Sequence, residues 1–323
     1  MNPLLNSQQH RWNQLKRYMV NGFDDVDLES LKSWADSKGL NKTKRTVLSF
    51  WYSVCDNVPT AIFLYTNIDL RSSTEESLEM FWENYKNKLV FQRDRRWVRI
   101  ANQFVGICLD FRDKWYPIKD TMKPLLQADN SFEAILKEFS KLRYQGRVSS
   151  YSFLDALTAT GVIPTQQPDK FDWNDGQTCT EGMLQALCLD DEANHFKKGK
   201  NKLDKATCDM LDDELCRLKK ELREEYPDLP QYNIDDYESS LCVFRKYMKG
   251  MMYYGYYIDR QLGELKKLEK SLGAEGKEIC DELYGIRKQV YKSSMLGELQ
   301  GWDGVRNHLM DNFLKTGVIE FDS

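Results

Sequence analysis

The sequence predicts an all-α protein. Apolar side chains recur at three- and four-residue spacing through nearly every long segment, little of the chain shows the two-residue alternation of a strand, and only 8 prolines punctuate 323 residues. An aromatic content of 12% provides for a compact core. The expected architecture is a compact multi-helix fold in three consecutive stretches. These are an N-terminal helical segment at 1–40, a core at 41–262 with acidic outer helices at about 200–230, and C-terminal helices at 263–323 packed on that core.

Taken in order, Val47, Leu48, Trp51, Tyr52 and Cys55 predict a buried helical face over 43–58, ended by Pro59. Proline is tolerated in a first helical turn, so a bend at Asn57 starts a second helix over 60–65. A capping box from Ser73 to Glu76 opens the next, with Leu78, Phe81, Trp82, Tyr85 and Leu89 on one face. Trp97, Ile100, Ala101, Phe104, Val105 and Cys108 form the stripe of another. Asn130 with Glu133 opens a helix through Leu142, and Gly161 closes the one that follows. Residues 164–178, rich in Pro, Gln, Asp and Gly, read as a loop before a helix over 180–190. A lysine-rich turn over 197–205 precedes a charged helix through Glu225, and a long helix is expected from Asp235 to Leu272, followed by two more. The run MMYYGYYIDR within it reads as core plus interface, because each tyrosine buries a ring and needs a partner for its hydroxyl.

Charge is unevenly distributed. The formal net charge is -4, yet residues 86–99 hold six basic side chains (Lys86, Lys88, Arg93, Arg95, Arg96 and Arg99) against the single acid Asp94. Such a patch suits a polyanion, and planar guanidinium groups grip phosphate oxygens in pairs. The competing reading is that arginine stems beside Trp97 cover apolar surface while their heads stay in water. Between 204 and 238 twelve acids oppose five bases, which predicts a solvated outer face.

Several chemistries are excluded. No GxxxxGK[ST] or strand-linked GxGxxG occurs, and the three histidines, His10, His195 and His308, stand beside no nucleophile motif. No apolar run reaches the length of a membrane span, and MNPLLNSQQHRWNQ lacks the apolar core of a signal peptide, so a cytosolic location is expected. The eight cysteines show no CxxC spacing and read as free thiols of a reducing compartment. Cys188, His195 and Cys208 match no common zinc pattern.

Several blocks in order resemble the phage α-glutamyl/putrescinyl thymine pyrophosphorylases, also described as amino acid:DNA transferases, and the related helical domain of hydroxymethyluracil DNA kinases. The blocks are FWYSVCDNVPTA at 50–61, FWENYKNKLVFQRDRRWVRIANQFV at 81–105, LRYQGRVSSYSFLDAL at 142–157, DGQTCTEGM at 175–183 and YYGYYIDRQ at 253–261. The resemblance implies a DNA-glycosylase-like helical fold. It also implies an enzyme that transfers an amino acid or other amine to the 5-methylene of pyrophosphorylated 5-hydroxymethyluracil in phage DNA, releasing pyrophosphate in the cytoplasm of the infected host. Where the family pattern carries Asn-Gly, this chain has Glu181-Gly182. It lacks a kinase domain, which favours the transferase branch.

That substrate makes three demands. Arg95, Arg96, Arg143 and Arg147, then Lys246 and Arg260, are candidates to hold pyrophosphate or DNA phosphate. Trp51, Tyr52, Trp97 and Tyr144 are candidates to stack an extruded base, with Asn102 and Gln103 to read its edge. Asp94 and Glu181 are the candidate proton acceptors for the amine. The alternative for Asp94 is a structural ion pair, for Glu181 a helix-terminal carboxylate, and for the aromatics plain core. No cofactor is certain from the sequence, and Mg2+ is a candidate because pyrophosphate often travels with it. The expected partners are DNA containing the modified thymine and an amino acid or polyamine, with no membrane. A base-excising glycosylase and a non-catalytic DNA-binding protein are the rival functions.

Overall fold

The computed structural model describes residues 2–21, 26–91, 101–115, 132–164, 171–196, 201–229, 232 and 234–321, with the backbone alone of residues 147, 148 and 299. These residues form α1 (Gln8–Val20), α2 (Val26–Ser37), α3 (Lys42–Cys55), α4 (Val58–Asn67), α5 (Glu75–Tyr85), α6 (Ala101–Trp115), α7 (Phe132–Phe139) and α8 (Arg147–Ala159). They continue with α9 (Gln177–Ala186), α10 (Asp190–His195), α11 (Lys205–Glu225), α12 (Ile234–Met248), α13 (Tyr256–Leu272), α14 (Ala274–Val290) and α15 (Asn312–Thr316). No strand occurs among the described residues, so the all-α expectation holds. None of the described helices is long and apolar enough to cross a membrane.

The chain divides into two compact units that do not follow the expected boundaries at 40 and 262. One comprises 25–166 with 257–304, the other 1–24 with 167–256 and 305–323. Each is assembled from distant pieces of sequence, which no linear reading of composition reveals.

In the 25–166/257–304 unit, α3 is central. Every residue from Thr46 to Cys55 is buried, against α4 on one side and α8 on the other. Asn41 caps it by accepting from the Lys44 backbone N–H at 3.0 Å. The helix ends before Pro59, because Asp56 takes a left-handed conformation (φ 51°). Asn57 then starts α4 by accepting from the Thr60 N–H at 3.0 Å, and Pro59 falls harmlessly in the first turn. The Thr60 hydroxyl donates to the Val90 carbonyl at 2.8 Å, which ties the chain after α5 to this corner. The capping box of α5 pairs Thr74 with Ser77, one residue later than Ser73 and Glu76 predicted.

In the second unit, α9 and α12 approach so closely that a Cβ on Gly182 would overlap the Leu241 carbonyl. Glycine is required there for space. Buried Arg11 of α1 donates Nη1 to the Gln185 carbonyl at 2.7 Å and makes a two-pronged pair with Asp190 at 2.7 Å. Leu211, Leu215, Leu218 and Leu222 bury one stripe of α11, while Asp209, Asp212, Asp213 and Glu224 are exposed, as the charge pattern predicts. The single helix expected over 235–272 is two, α12 and α13. The chain breaks at Gly250 (φ 63°) and Gly255 (φ 88°), conformations that cost glycine little and other residues more.

Candidate functional site

Four segments of the 25–166/257–304 unit converge on a buried polar cluster: the first turn of α2, the end of α3, the start of α4 and one face of α13. Asn57 uses both ends of its amide. Its Oδ1 caps α4, and its Nδ2 donates to Glu264 Oε2 at 2.6 Å. One turn before Glu264 on α13, Arg260 donates Nη2 to Asp27 Oδ2 at 2.9 Å and holds Nε 3.5 Å from Glu264 Oε1. Gln261 Nε2 donates to Asp27 Oδ1 at 3.1 Å, and the Tyr257 ring lies 4.9 Å beneath the guanidinium.

The electrostatics of this cluster are unusual for a surface ion pair. Burial pushes the Glu264 carboxyl up to about 7, Asp27 and Asp56 push the same way, and Arg260 and Asn57 only partly oppose them. Burial raises Asp27 too, with Asp56 adding to the effect and Arg260 and Gln261 opposing it. Burial alone would lower Arg260, but Asp27 and Glu264 outweigh it and keep the guanidinium charged. Among the described residues, Arg260 is shared between Asp27 and Glu264, and with burial this leaves the Glu264 carboxyl able to hold a proton near neutrality. A carboxyl that ionises near 7, with a side chain 15% exposed, is a competent general acid or base at physiological pH.

Glu181, the acid the sequence singled out, has the opposite environment. It sits on α9, buried, and accepts from Arg245 Nε, from Lys249 Nζ at 2.9 Å and from Gln177 Nε2 at 3.0 Å. Burial alone would raise its carboxyl, but those three donors together hold it below the usual range. A carboxylate so well satisfied is a weak base. The structure thus gives Glu181 an ion-paired environment. Lys246 is half-buried on α12 beside Arg245.

The other predicted residues fall into three sets. Trp51 is fully buried, its ring 5.1 Å from Phe50 and 6.0 Å from Phe104, so it is core rather than a base-stacking platform. Tyr52 is buried within electrostatic reach of Arg260. Asn102 and Gln103 share the face of α6 that carries Gly106, over which Arg143 and Tyr144 lie; a Cβ on Gly106 would stand 3.0 Å from Tyr144 Cε2 and 3.5 Å from Arg143 Cδ. Tyr144 is 44% exposed and held at φ 61°, a backbone conformation unusual for an aromatic residue. The Arg143 N–H donates to Asp110 Oδ2 at 2.8 Å. Asp94, Arg95, Arg96 and Trp97 lie outside the described residues, as does the side chain of Arg147.

Among the described residues, the only cluster of three or more His, Cys, Asp or Glu with metal-ligand proximity is Cys179, Glu238 and Cys242. Cys188, His195 and Cys208 thus do not converge, and His195 instead points Nδ1 at the Asp191 carbonyl, 2.6 Å away. Asp27, Asp56 and Glu264 likewise do not form a cage that would grip a divalent cation.

Sequence reasoning missed Asp27, Asp56, Asn57 and Glu264. A signal was present for three of them: Asp56-Asn57 interrupts an aromatic helix just before Pro59, inside the block at 50–61. Arg260 and Glu264 carry the four-residue spacing of a helical ion pair. Compared with known proteins, the chain matches no family model, and no curated sequence or solved structure matches it.

Proposed function

We propose that this protein is a DNA-modifying transferase that joins an amine to the 5-methylene of pyrophosphorylated 5-hydroxymethyluracil, with Glu264 as the group that accepts the amine's proton. The observation that carries this reading is the Glu264 carboxyl, raised to about 7 beside an arginine and reachable from solvent. A neutral amine attacks the methylene carbon and forms the C–N bond, the C–O bond to pyrophosphate breaks with its electron pair, and the surplus amine proton passes to Glu264. Arg260 positions that carboxyl and is itself anchored by Asp27.

Two of the blocks that resemble the transferases support the assignment by their packing. The segment at 50–61 supplies Asp56 and Asn57, the segment at 253–261 supplies Tyr257 and Arg260, and both border Glu264. Arg143 and Tyr144, exposed over α6 with Asn102 and Gln103, are suited to a phosphate and a base edge. The arginines at 95 and 96 complete the proposed anion cradle by sequence alone. Any Mg2+ in the reaction would enter with pyrophosphate.

The test is mass spectrometry of nucleosides from DNA carrying the pyrophosphorylated base, incubated with the protein and a mixture of amino acids and polyamines. An amine adduct that forms with the native chain and not with Glu264→Gln supports the proposal. Loss of the base without an adduct replaces it with a glycosylase, and an unchanged profile replaces it with a binding role.

A further inference from the structure

A second cluster lies in the other unit and plays no part in that chemistry. Cys179 is the third residue of α9, and Glu238 and Cys242 stand four residues apart on one face of α12. Their Sγ and carboxylate oxygen atoms all lie within 4.8 Å of one another. Nothing in the linear sequence joins these three.

We propose that Cys179, Cys242 and Glu238 form a binding site for a thiophilic divalent cation, Zn2+ in particular, that clamps α9 to α12. Two sulfurs and a carboxylate oxygen are a donor set that soft, tetrahedral Zn2+ accepts and hard Mg2+ or Ca2+ does not. Zinc–sulfur bonds of about 2.3 Å place tetrahedral ligand atoms roughly 3.7 Å apart, so the observed spacing needs only a slight contraction. Water or a neighbouring oxygen would take the fourth position.

The surroundings are built to hold such a group. A Cβ on Gly176 would run into Cys179 Sγ and stand 3.8 Å from Glu238 Oε1, so glycine leaves the space between these ligands open. The Thr178 hydroxyl stands 2.9 Å from Cys242 Sγ, an outer-shell partner of the kind that orients metal ligands. The Cys179 thiol donates to the Gly176 carbonyl at 2.9 Å, which holds its sulfur at the start of α9. The hydrogen bond from Cys179 pulls the Cys242 thiol down, and Lys246 also lowers it, although burial opposes them. The close approach enforced at Gly182, three residues along α9 from Cys179, brings the two helices near enough for ligands from both to meet one ion.

On binding, Zn2+ replaces the protons of the two thiols, which pass to solvent, and a Glu238 carboxylate oxygen completes the protein's donor set. The affinity should therefore fall as the pH is lowered.

The experiment is a titration of the reduced full-length chain with Zn2+ against a chromogenic chelator, repeated with Co2+ to read sulfur-to-metal charge-transfer absorption. One equivalent should bind. Cys179→Ser and Cys242→Ser should each lose more than about 100-fold in affinity, beyond the effect of losing an outer-shell partner, and abolish the sulfur absorption. Glu238→Gln should lose about 10-fold while keeping that absorption, and it serves if a cysteine variant fails to fold. Cys216→Ser, an exposed cysteine, should change nothing. Binding that survives all three ligand variants, or that falls equally in Cys216→Ser, overturns the site. So does a chain isolated as a Cys179–Cys242 disulfide that takes up no zinc after reduction.

Discussion

Glu181 and Glu264 are both acids on helices, both largely buried and both beside an arginine, yet they are driven in opposite directions. Glu181 accepts from Arg245, Lys249 and Gln177, so the charge it brings inside is more than matched and its carboxyl is held low. Glu264 shares one guanidinium with Asp27 in a pocket to which Asp56 adds further negative charge, so its carboxyl rises to about 7. Burial raises both, and among the described residues the donors facing each carboxyl separate them: three on Glu181, against a guanidinium that Glu264 shares with Asp27. A fully matched acid stabilises structure; an under-matched one is available for proton transfer.

The largest expected difference is in turnover. Glu264→Gln should lower amine transfer by roughly 100- to 10,000-fold, the range for removing a general base, with helical circular dichroism unchanged. Glu181→Gln in a chain that stays folded should cost only a few-fold. In the native chain the rate of the proposed transfer should climb with pH through about 7 as Glu264 deprotonates. Equal losses in the two variants would erase the distinction between the clusters.

Stability should separate them next, through opposite pH dependences. The folded Glu264 binds a proton between its ordinary value of 4.5 and about 7 where the unfolded chain does not. Stability should therefore fall as pH rises across that window, by on the order of 3 kcal/mol, and Glu264→Gln should flatten the decline. The depressed Glu181 contributes stability that is present above its ordinary 4.5 and lost as pH falls through its folded value. Urea midpoints measured across this range in both variants would reveal the two signs. A single common slope would contradict the contrast.

Gly182→Ala tests whether the matched cluster depends on the close approach of α9 and α12. The added methyl overlaps the Leu241 carbonyl and forces the helices apart, so thermal melts should show a loss of about 1–3 kcal/mol. The smallest effect belongs to Asn57→Ala. Losing the α4 cap costs about 1 kcal/mol. Losing the bond to Glu264 also removes an influence that lowers its carboxyl, so the pH profile of turnover should shift upward. A profile that stays in place would detach Asn57 from the site.

Much of this architecture is legible in the chain. Helical periodicity places α3, α5, α11 and the Phe104, Val105 and Cys108 part of the α6 stripe correctly, because a helix must bury one face and the spacing of that face is written locally. Asn57 as a breakpoint is equally local, since a capping amide followed by proline permits little else. The single long helix expected over 235–272 failed because Gly250 and Gly255 interrupt an otherwise helical pattern, and glycine spacing alone does not announce a break. The ion pairing of Glu181 was not legible, because its partners Arg245 and Lys249 lie more than sixty positions away.

The sequence by itself determined the all-α class, the buried faces of the principal helices and the acidic exterior of α11, because each depends on residues within a few turns of one another. Only the tertiary structure decided that the chain divides into two units, each drawn from separate stretches of sequence. It also decided that Asp27 and Asn57 meet Arg260 and Glu264, and that Cys179 meets Cys242. Proton affinity and metal affinity are sums over neighbours in space, and those neighbours come from segments up to 234 residues apart, whose meeting depends on packing rather than on any local pattern.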